Sequence, residues 1–473
     1  MPAITYQDFS GGLDRRLDIK VQEANRLWTL RNAFVTLGKR IRKRPGLKLE
    51  ASGLTGSFGL ESISGRLKVF VDRGSSFVAP ALLDTIELDI PASAPGQTLV
   101  RIHYADVFTG YPYVVAEYSA GVLAHHYVDT NPTTPITDTN CPQTISVTKA
   151  ASRVFAIGGE VVRYCAAGNP RDWTTANDAG FLPVSLQQDT KSIATAVGTF
   201  QDSLVVFFEE SAQIWNVAVD PTSNAISKRI FGVGTSAALS LASFASDLVF
   251  LSPFGFRSMS VQAISNRIDD TDVGVPIDPL VQVDLALIAA QVDPEQTFGV
   301  WIPQLGQYWA MLDVGATSKV WAYTFSKSSK IACWSEYTFP YSIKAVTTQG
   351  GRVYLRTEDQ LFSFDAAQFT DNGTLVDVEV QMAFQDAKTP GVSKQFIGAD
   401  YVMQGGPMVS FKFDPRDQAK ETVAQTISGD TRPGDVVPVE VVAPAIAPVF
   451  RHSLDEEFEL DAATFYFERL GTV

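Results

Sequence analysis

The chain has 473 residues, 45% of them hydrophobic and 19% charged, with a formal net charge of −14 at pH 7. That balance excludes a disordered chain, and an acidic body excludes a protein that grips nucleic acid over its whole surface. A chain this long can hold two to four ordinary domains, or one repeat domain and a smaller partner, with a sizeable core. Its 34 Gly and 25 Pro are spread along the chain, as in a protein of many short strands and turns.

The first fifty residues run against the overall charge. They carry eleven Lys/Arg and five Asp/Glu, a net of +6, which leaves −20 on the other 423 residues. The opening "MPAITYQDFSGG" lacks the basic and apolar regions of a secretory leader. Gly11 and Gly12 then supply a turn that a residue with a Cβ resists. The dense run "KRIRKR" (39–44) reads as a strand with Ile41 turned inward. Its charges, on Lys39, Arg40, Arg42, Lys43 and Arg44, are expected at an interface with a neighbouring subunit or partner. Pro45-Gly46 ends it in a tight turn.

From about residue 50 to 370 one pattern recurs. "GRLKVFVDRGSSFVAP" (65–80), "SRVFAIGGEVVRYCAAG" (152–168), "DSLVVFFEESAQIWNV" (202–217), "SDLVFLSPFGFRSMSV" (246–261) and "GRVYLRTEDQLFSFDA" (351–366) each place a nearly continuous apolar run before a turn, then a second, alternating run. This is a β-hairpin signal, with the first strand buried on both faces and the second an outer strand with one wet face. Further hairpins at 111–129 and 298–325 fill the wider gaps, so the repeat length is 44–52 residues. About four strands per repeat of that length predicts β-propeller blades, six or seven of them, without WD or kelch signatures. Stacked β-sandwich sheets are the alternative.

Few side chains along this stretch suggest chemistry. His125 and His126 are adjacent on a strand, so they point to opposite faces and cannot share a metal; they read as exposed or half-buried strand residues. "GVGTS" (232–236) reads as a turn. "DDTDVG" (269–274) lacks the spacing of a calcium loop and reads as a solvated turn. A helix is predicted over 278–296, capped by Asp278 with Pro279 at its first position, bracing a blade edge. Cys141, Cys165 and Cys333 fit free buried thiols, as in a protein made in a reducing cytosol. No apolar run approaches the roughly 20 residues of a membrane span.

After about 375 the pattern changes to longer alternating strands interrupted by a Pro-rich segment at 428–450, predicting a separate sandwich-like region or strands that clasp the propeller. The reading is an all-β chain in three parts: an N-terminal strand segment (1–50), a propeller-like core (51–374) with one or two short helices, and a C-terminal β region (375–473). No catalytic residue, cofactor or metal ligand is expected.

The N-terminal motifs carry a resemblance. Phe9, Gly11 and Gly12, then Arg31-Asn32, Gly38 and Lys43-Arg44-Pro45-Gly46, resemble the "F-x-GG … R-N … (K/R)RPG" order of the tail nozzle proteins of short-tailed bacteriophages, also called tail tubular protein B or packaged-DNA stabilisation proteins. "NPRDWT" (169–174), the hairpin at 199–217, "DLVFLSPFGFRSMS" (247–260), a helix and "KIACWSEY" (330–337) follow in a similar order. The resemblance covers most of residues 5–370. It implies a non-enzymatic virion protein of the tail, made in the host bacterial cytoplasm, with a propeller-like core. By the same resemblance it forms a homo-oligomeric ring, usually hexameric, below the portal–adaptor (head-to-tail connector) proteins and meets tail fibre or needle proteins. The ring would retain packaged viral DNA and then conduct it, without sequence-specific binding. A receptor- or glycan-binding propeller of the virion is the second reading, and a propeller hydrolase the third.

Overall fold

The computed structural model describes residues 2–130, 133–188, 192–265, 272–289, 297–431 and 436–472. Seven groups of paired strands follow one another along the chain, each starting at an innermost strand and working outward. Blade 1 starts at Phe58–Ile63, blade 2 at Leu99–Phe108, blade 3 at Val147–Ala150 and blade 4 at Ala196–Phe200. Blade 5 starts at Ala242–Phe244, blade 6 at Phe298–Ile302 and blade 7 at Ala345–Gln349. Blades 3, 4 and 6 have four consecutive antiparallel strands. In blade 1 the third strand runs parallel to the second. Blade 5 has three strands and continues directly into the helix Met259–Ser265.

The second strand of each blade shows why the repeats read as continuous apolar runs. In blade 3, Val154 and Ala156 pack toward blade 2, while Phe155 and Ile157 pack toward blade 4. In blade 4, Leu204 and Val206 face blade 3, and Val205 and Phe207 face blade 5. A strand alternates its side chains between two faces, and here both faces are interior, so every position is apolar. The same logic makes the third strand of blade 4, Ser211–Asn216, buried along most of its length, where one wet face was expected. Neighbouring blades cover both of its faces.

Seven hydrophobic clusters fill the seven interfaces between successive blades, including that between blade 7 and blade 1. The ring is therefore closed, and the blade number is seven. Closure draws on the N-terminal segment: Gly46–Ser52 pairs antiparallel with Gln360–Asp365 as the fourth strand of blade 7.

The remaining strands form two sheets stacked as a sandwich. One contains Ala3–Gln7, Ala33–Val35, Ile41–Lys43, Val392–Gln404, Val437–Ala443 and Glu459–Thr472. The other contains Arg26–Arg31, Val378–Met382, Met408–Lys412, Gln425–Thr426 and Ala447–His452. Through Gly12–Leu13 the second sheet joins the last strand of blade 6, Ile331–Phe339, so ten strands run without a break from the propeller into the sandwich. One core cluster accordingly spans Phe244, Tyr308 and Trp321 of the propeller and Leu30, Val380, Phe450 and Phe465 of the sandwich. Residues 1–50 are thus shared among three sheets.

The helix Asp278–Ala289 lies between blade 5 and this core, with Val281 buried in it. Asp278 is itself helical in backbone, not a cap outside the helix, and its carboxylate takes two 2.8 Å hydrogen bonds from the buried Arg257 guanidinium. Residues 290–296 of the predicted helix lie outside the described residues.

Two glycines of the N-terminal motifs have steric reasons. Gly12 has φ +54°, and a Cβ there would overlap the Cβ of Cys333 on the last strand of blade 6. At Gly46 a Cβ would overlap the Thr370 carbonyl, backbone that has no room to move. Gly46→Ala should lower stability by about 2 kcal/mol. Gly38→Ala, where nothing comes closer than 3.7 Å, should change it by less than about 0.5 kcal/mol. Denaturant melts of the two variants check this; equal midpoints would contradict the steric reading.

Candidate functional site

Two residues that carried the N-terminal resemblance, Asn32 and Arg44, meet at one joint. Asn32 sits in the left-handed region at φ 52° between two strands that belong to different sheets of the sandwich. Its Oδ1 accepts from Arg44 Nε at 3.0 Å and from the Thr338 backbone N–H at 2.8 Å. Its Nδ2 donates to Thr338 Oγ1 at 2.9 Å and to the Asp377 carbonyl at 2.8 Å. The amide thus uses both donors and both acceptor positions.

Arg44 is fully buried against it. Its guanidinium forms a two-pronged pair with the buried Asp371 at 2.9 and 2.5 Å, and donates to the carbonyls of Thr338 at 2.7 Å and Pro45 at 2.9 Å. The Phe339 ring lies 4.4 Å from its central carbon. Blade 6 contributes Thr338 and Phe339, the margin of blade 7 contributes Asp371, and the link into the sandwich contributes Asp377.

The rest of the basic run is paired inside the chain. Lys39 meets Asp8 at 2.7 Å; Arg40 meets Glu459 at 2.7 Å and Asp461 at 3.2 Å. Arg42 pairs with Glu457, and Lys43 Nζ donates to the Leu454 carbonyl at 2.7 Å. Burial, with Arg44 beside it, pushes Lys43 down to about 8. Carboxylates of the same chain, on Asp8, Glu457, Glu459 and Asp461, thus face this run. Gly11 ends a short turn that begins at Phe9.

The other candidates are structural. His125 and His126 point to opposite faces as expected, but both are buried, not exposed. His125 bonds the Tyr113 hydroxyl at 2.7 Å and His126 the Tyr118 hydroxyl at 3.0 Å, and burial lowers both, to about 4 and about 3. Asp272 is buried and accepts from Ser258 N at 3.0 Å and Gln262 Nε2 at 2.6 Å; the residues before it, 266–271, lie outside the described residues. In the 169–174 motif, Trp173 is buried and Arg171 holds Asp129 at 2.6 Å. The three cysteines are free and buried. Among the described residues no group of His, Cys, Asp and Glu is placed to hold a metal, and no helix is long and apolar enough to cross a membrane.

Sequence reading missed a cavity of about 890 Å³ on the propeller axis, lined by the innermost strand of every blade. Its polar wall includes Glu61 of blade 1, Asp106 of blade 2 and Lys149 of blade 3. Lys149 pairs with Asp106 at 2.5 Å. Burial pushes the Glu61 carboxyl up to about 7, although it accepts from Ser62 N at 2.9 Å and Thr347 Oγ1 at 3.1 Å. These residues come from separate repeats, so no local motif marks them. Alignment of the repeats on their innermost strands would have exposed them.

No family model and no curated protein matches the chain. Solved structures similar to it include the Pan2 WD40 domain of Neurospora crassa, at 10% identity and TM-score 0.35, covering 68% of this chain and 95% of that one. Another is an exo-β-1,3-galactanase of Phanerochaete chrysosporium with galactose, at 12% identity and TM-score 0.27, covering 83% and 99%. A third is Sqt1 of Saccharomyces cerevisiae, at 8% identity and TM-score 0.34, covering 60% and 93%. The propeller assignment itself stands on the sheet order and the seven inter-blade cores.

Removing one side of the buried pair leaves the other side uncompensated. Arg44→Met should therefore cost about 3–5 kcal/mol, and Arg44→Met with Asp371→Leu markedly less than the single change. A double-mutant cycle in urea reads the difference, and purely additive losses would contradict the pairing.

Glu61 gives a pH signature. Its folded value of about 7 exceeds the ordinary 4.5, so the folded state holds a proton that the unfolded state has released. Its contribution to stability is full below about pH 4.5 and is lost as pH rises toward and through 7. Glu61→Gln should flatten the fall in unfolding free energy over that window. Parallel slopes for variant and wild type would contradict it.

Proposed function

We propose that this chain is a structural subunit of a short-tailed phage virion, the tail nozzle that retains packaged DNA and forms the passage for its ejection as a ring of copies. The observation that carries the reading is the fate of the motif residues. Asn32, Arg44 and Gly46, which carry much of the resemblance, sit at the joint that fixes propeller to sandwich, and Gly12 sits where the ten-stranded sheet crosses between them. They behave as the signature of a rigid two-part building block, which is what a pressure-bearing assembly needs.

Size and charge fit the same role. An axial cavity of about 890 Å³ is on the scale of a small-ligand site, so duplex DNA would pass between copies and not through one propeller. The net charge of −14 favours a passage that does not hold phosphates, and the N-terminal cations are engaged by carboxylates and carbonyls of the same chain. A lumen that attracted the backbone would slow its exit.

Immunogold labelling of intact particles from the source culture, with antibody raised against the purified chain, tests this. Gold at the distal end of a short tail is expected. Gold on fibres, or absence of the chain from intact particles, would overturn the nozzle reading.

A further inference from the structure

The axial cavity has a chemical character of its own. All seven innermost strands pair on one side only, each with the second strand of its own blade. Their other edges face the axis, so backbone N–H and C=O groups of both kinds converge on one space. An ion of either sign could satisfy only half of them.

The wall carries charges of both signs, among them Arg101, Glu358 and Arg356, the last spent on the Gly59 and Ser57 carbonyls. Lys149 holds Asp106 at 2.5 Å, Lys344 holds Asp313 at 2.7 Å, and His103 meets Glu117 at 2.8 Å. Glu61 is mostly buried and hydrogen-bonded by Thr347 and Ser62, with its carboxyl raised toward neutrality. Between these lie the Thr199 and Ser243 hydroxyls, 3.4 Å apart, and apolar surface from Val100 and Phe298. Mixed donors and acceptors, charges of both signs that mostly hold partners within the chain, and intervening apolar patches match a molecule with many hydroxyls and no net charge. The volume, about 890 Å³, lies within the range of small-molecule sites.

We propose that the axial cavity is a binding site for a short neutral saccharide, held by the inner-strand edges and by Glu61, Asp106, Lys149 and Thr199. The site is built from a single chain and does not depend on the nozzle reading.

Saturation-transfer NMR on the purified full chain tests it, with lactose, cellobiose, maltotriose and tri-N-acetylchitotriose as probes and citrate and spermidine as charged comparators. At least one saccharide should bind with a Kd at or below about 1 mM and resist displacement by either comparator. Val100→Trp and Ser243→Trp fill the cavity from two blades at exposed positions. Each should weaken that binding about tenfold or more while the melting temperature stays near wild type. Should one variant fail to fold, the other decides. The proposal is overturned if none of the four saccharides binds, if a charged comparator binds in their place, or if binding is unchanged in a folded variant.

Discussion

The guanidinium of Arg44 is the point on which the architecture turns. A buried cation is costly to desolvate, and that cost is offset only when its donors find partners in fixed geometry. Here the partners come from a carboxylate 327 positions away, from a blade 6 carbonyl, and from an asparagine whose own four bonds are committed to the same place. The bonds cannot form unless propeller and sandwich are already in register. Lysine would bring one point charge where the site presents a planar fork, so the residue type follows from the geometry.

Around that point the two halves are continuous. The ten-stranded sheet passes from blade 6 into the sandwich through Gly12–Leu13, a two-residue strand that must lie against Cys333 and Trp334 without a side chain at Gly12. A sheet has no hinge where its ladder is unbroken, and the cluster linking Tyr308 to Phe465 leaves no solvent layer between the bodies. The sandwich is therefore fixed relative to the propeller by backbone hydrogen bonds as well as by packing, unlike domains joined by a linker.

Much of this was legible in the sequence, for a physical reason. A strand buried on both faces must be apolar at every position, so the second strand of each blade announces itself, and its recurrence yields the repeat length. The innermost strands do not, because they are mixed in composition and turned toward a polar axis; the Thr199–Ser243 contact and the Glu61 environment were invisible for that reason. The basic run was legible as a strand with Ile41 inward, but its intrachain acidic partners Glu457, Glu459 and Asp461 lie over 400 residues downstream, beyond any local pattern. Burial of His125 and His126 was misjudged because polar side chains suggest solvent, whereas Tyr113 and Tyr118 satisfy them in the interior.

Closure of blade 7 by Gly46–Ser52 has a consequence in time. This strand leaves the ribosome about 300 residues before its partner Gln360–Asp365 exists. At about 5–20 residues per second, it waits roughly 15–60 s. During that interval the ring is an open arc with two unprotected apolar ends, the flank of blade 1 that blade 7 will cover and whichever blade is newest. The nascent chain is then most exposed to pairing with another copy of itself, and only the arrival of blade 7 removes both ends at once.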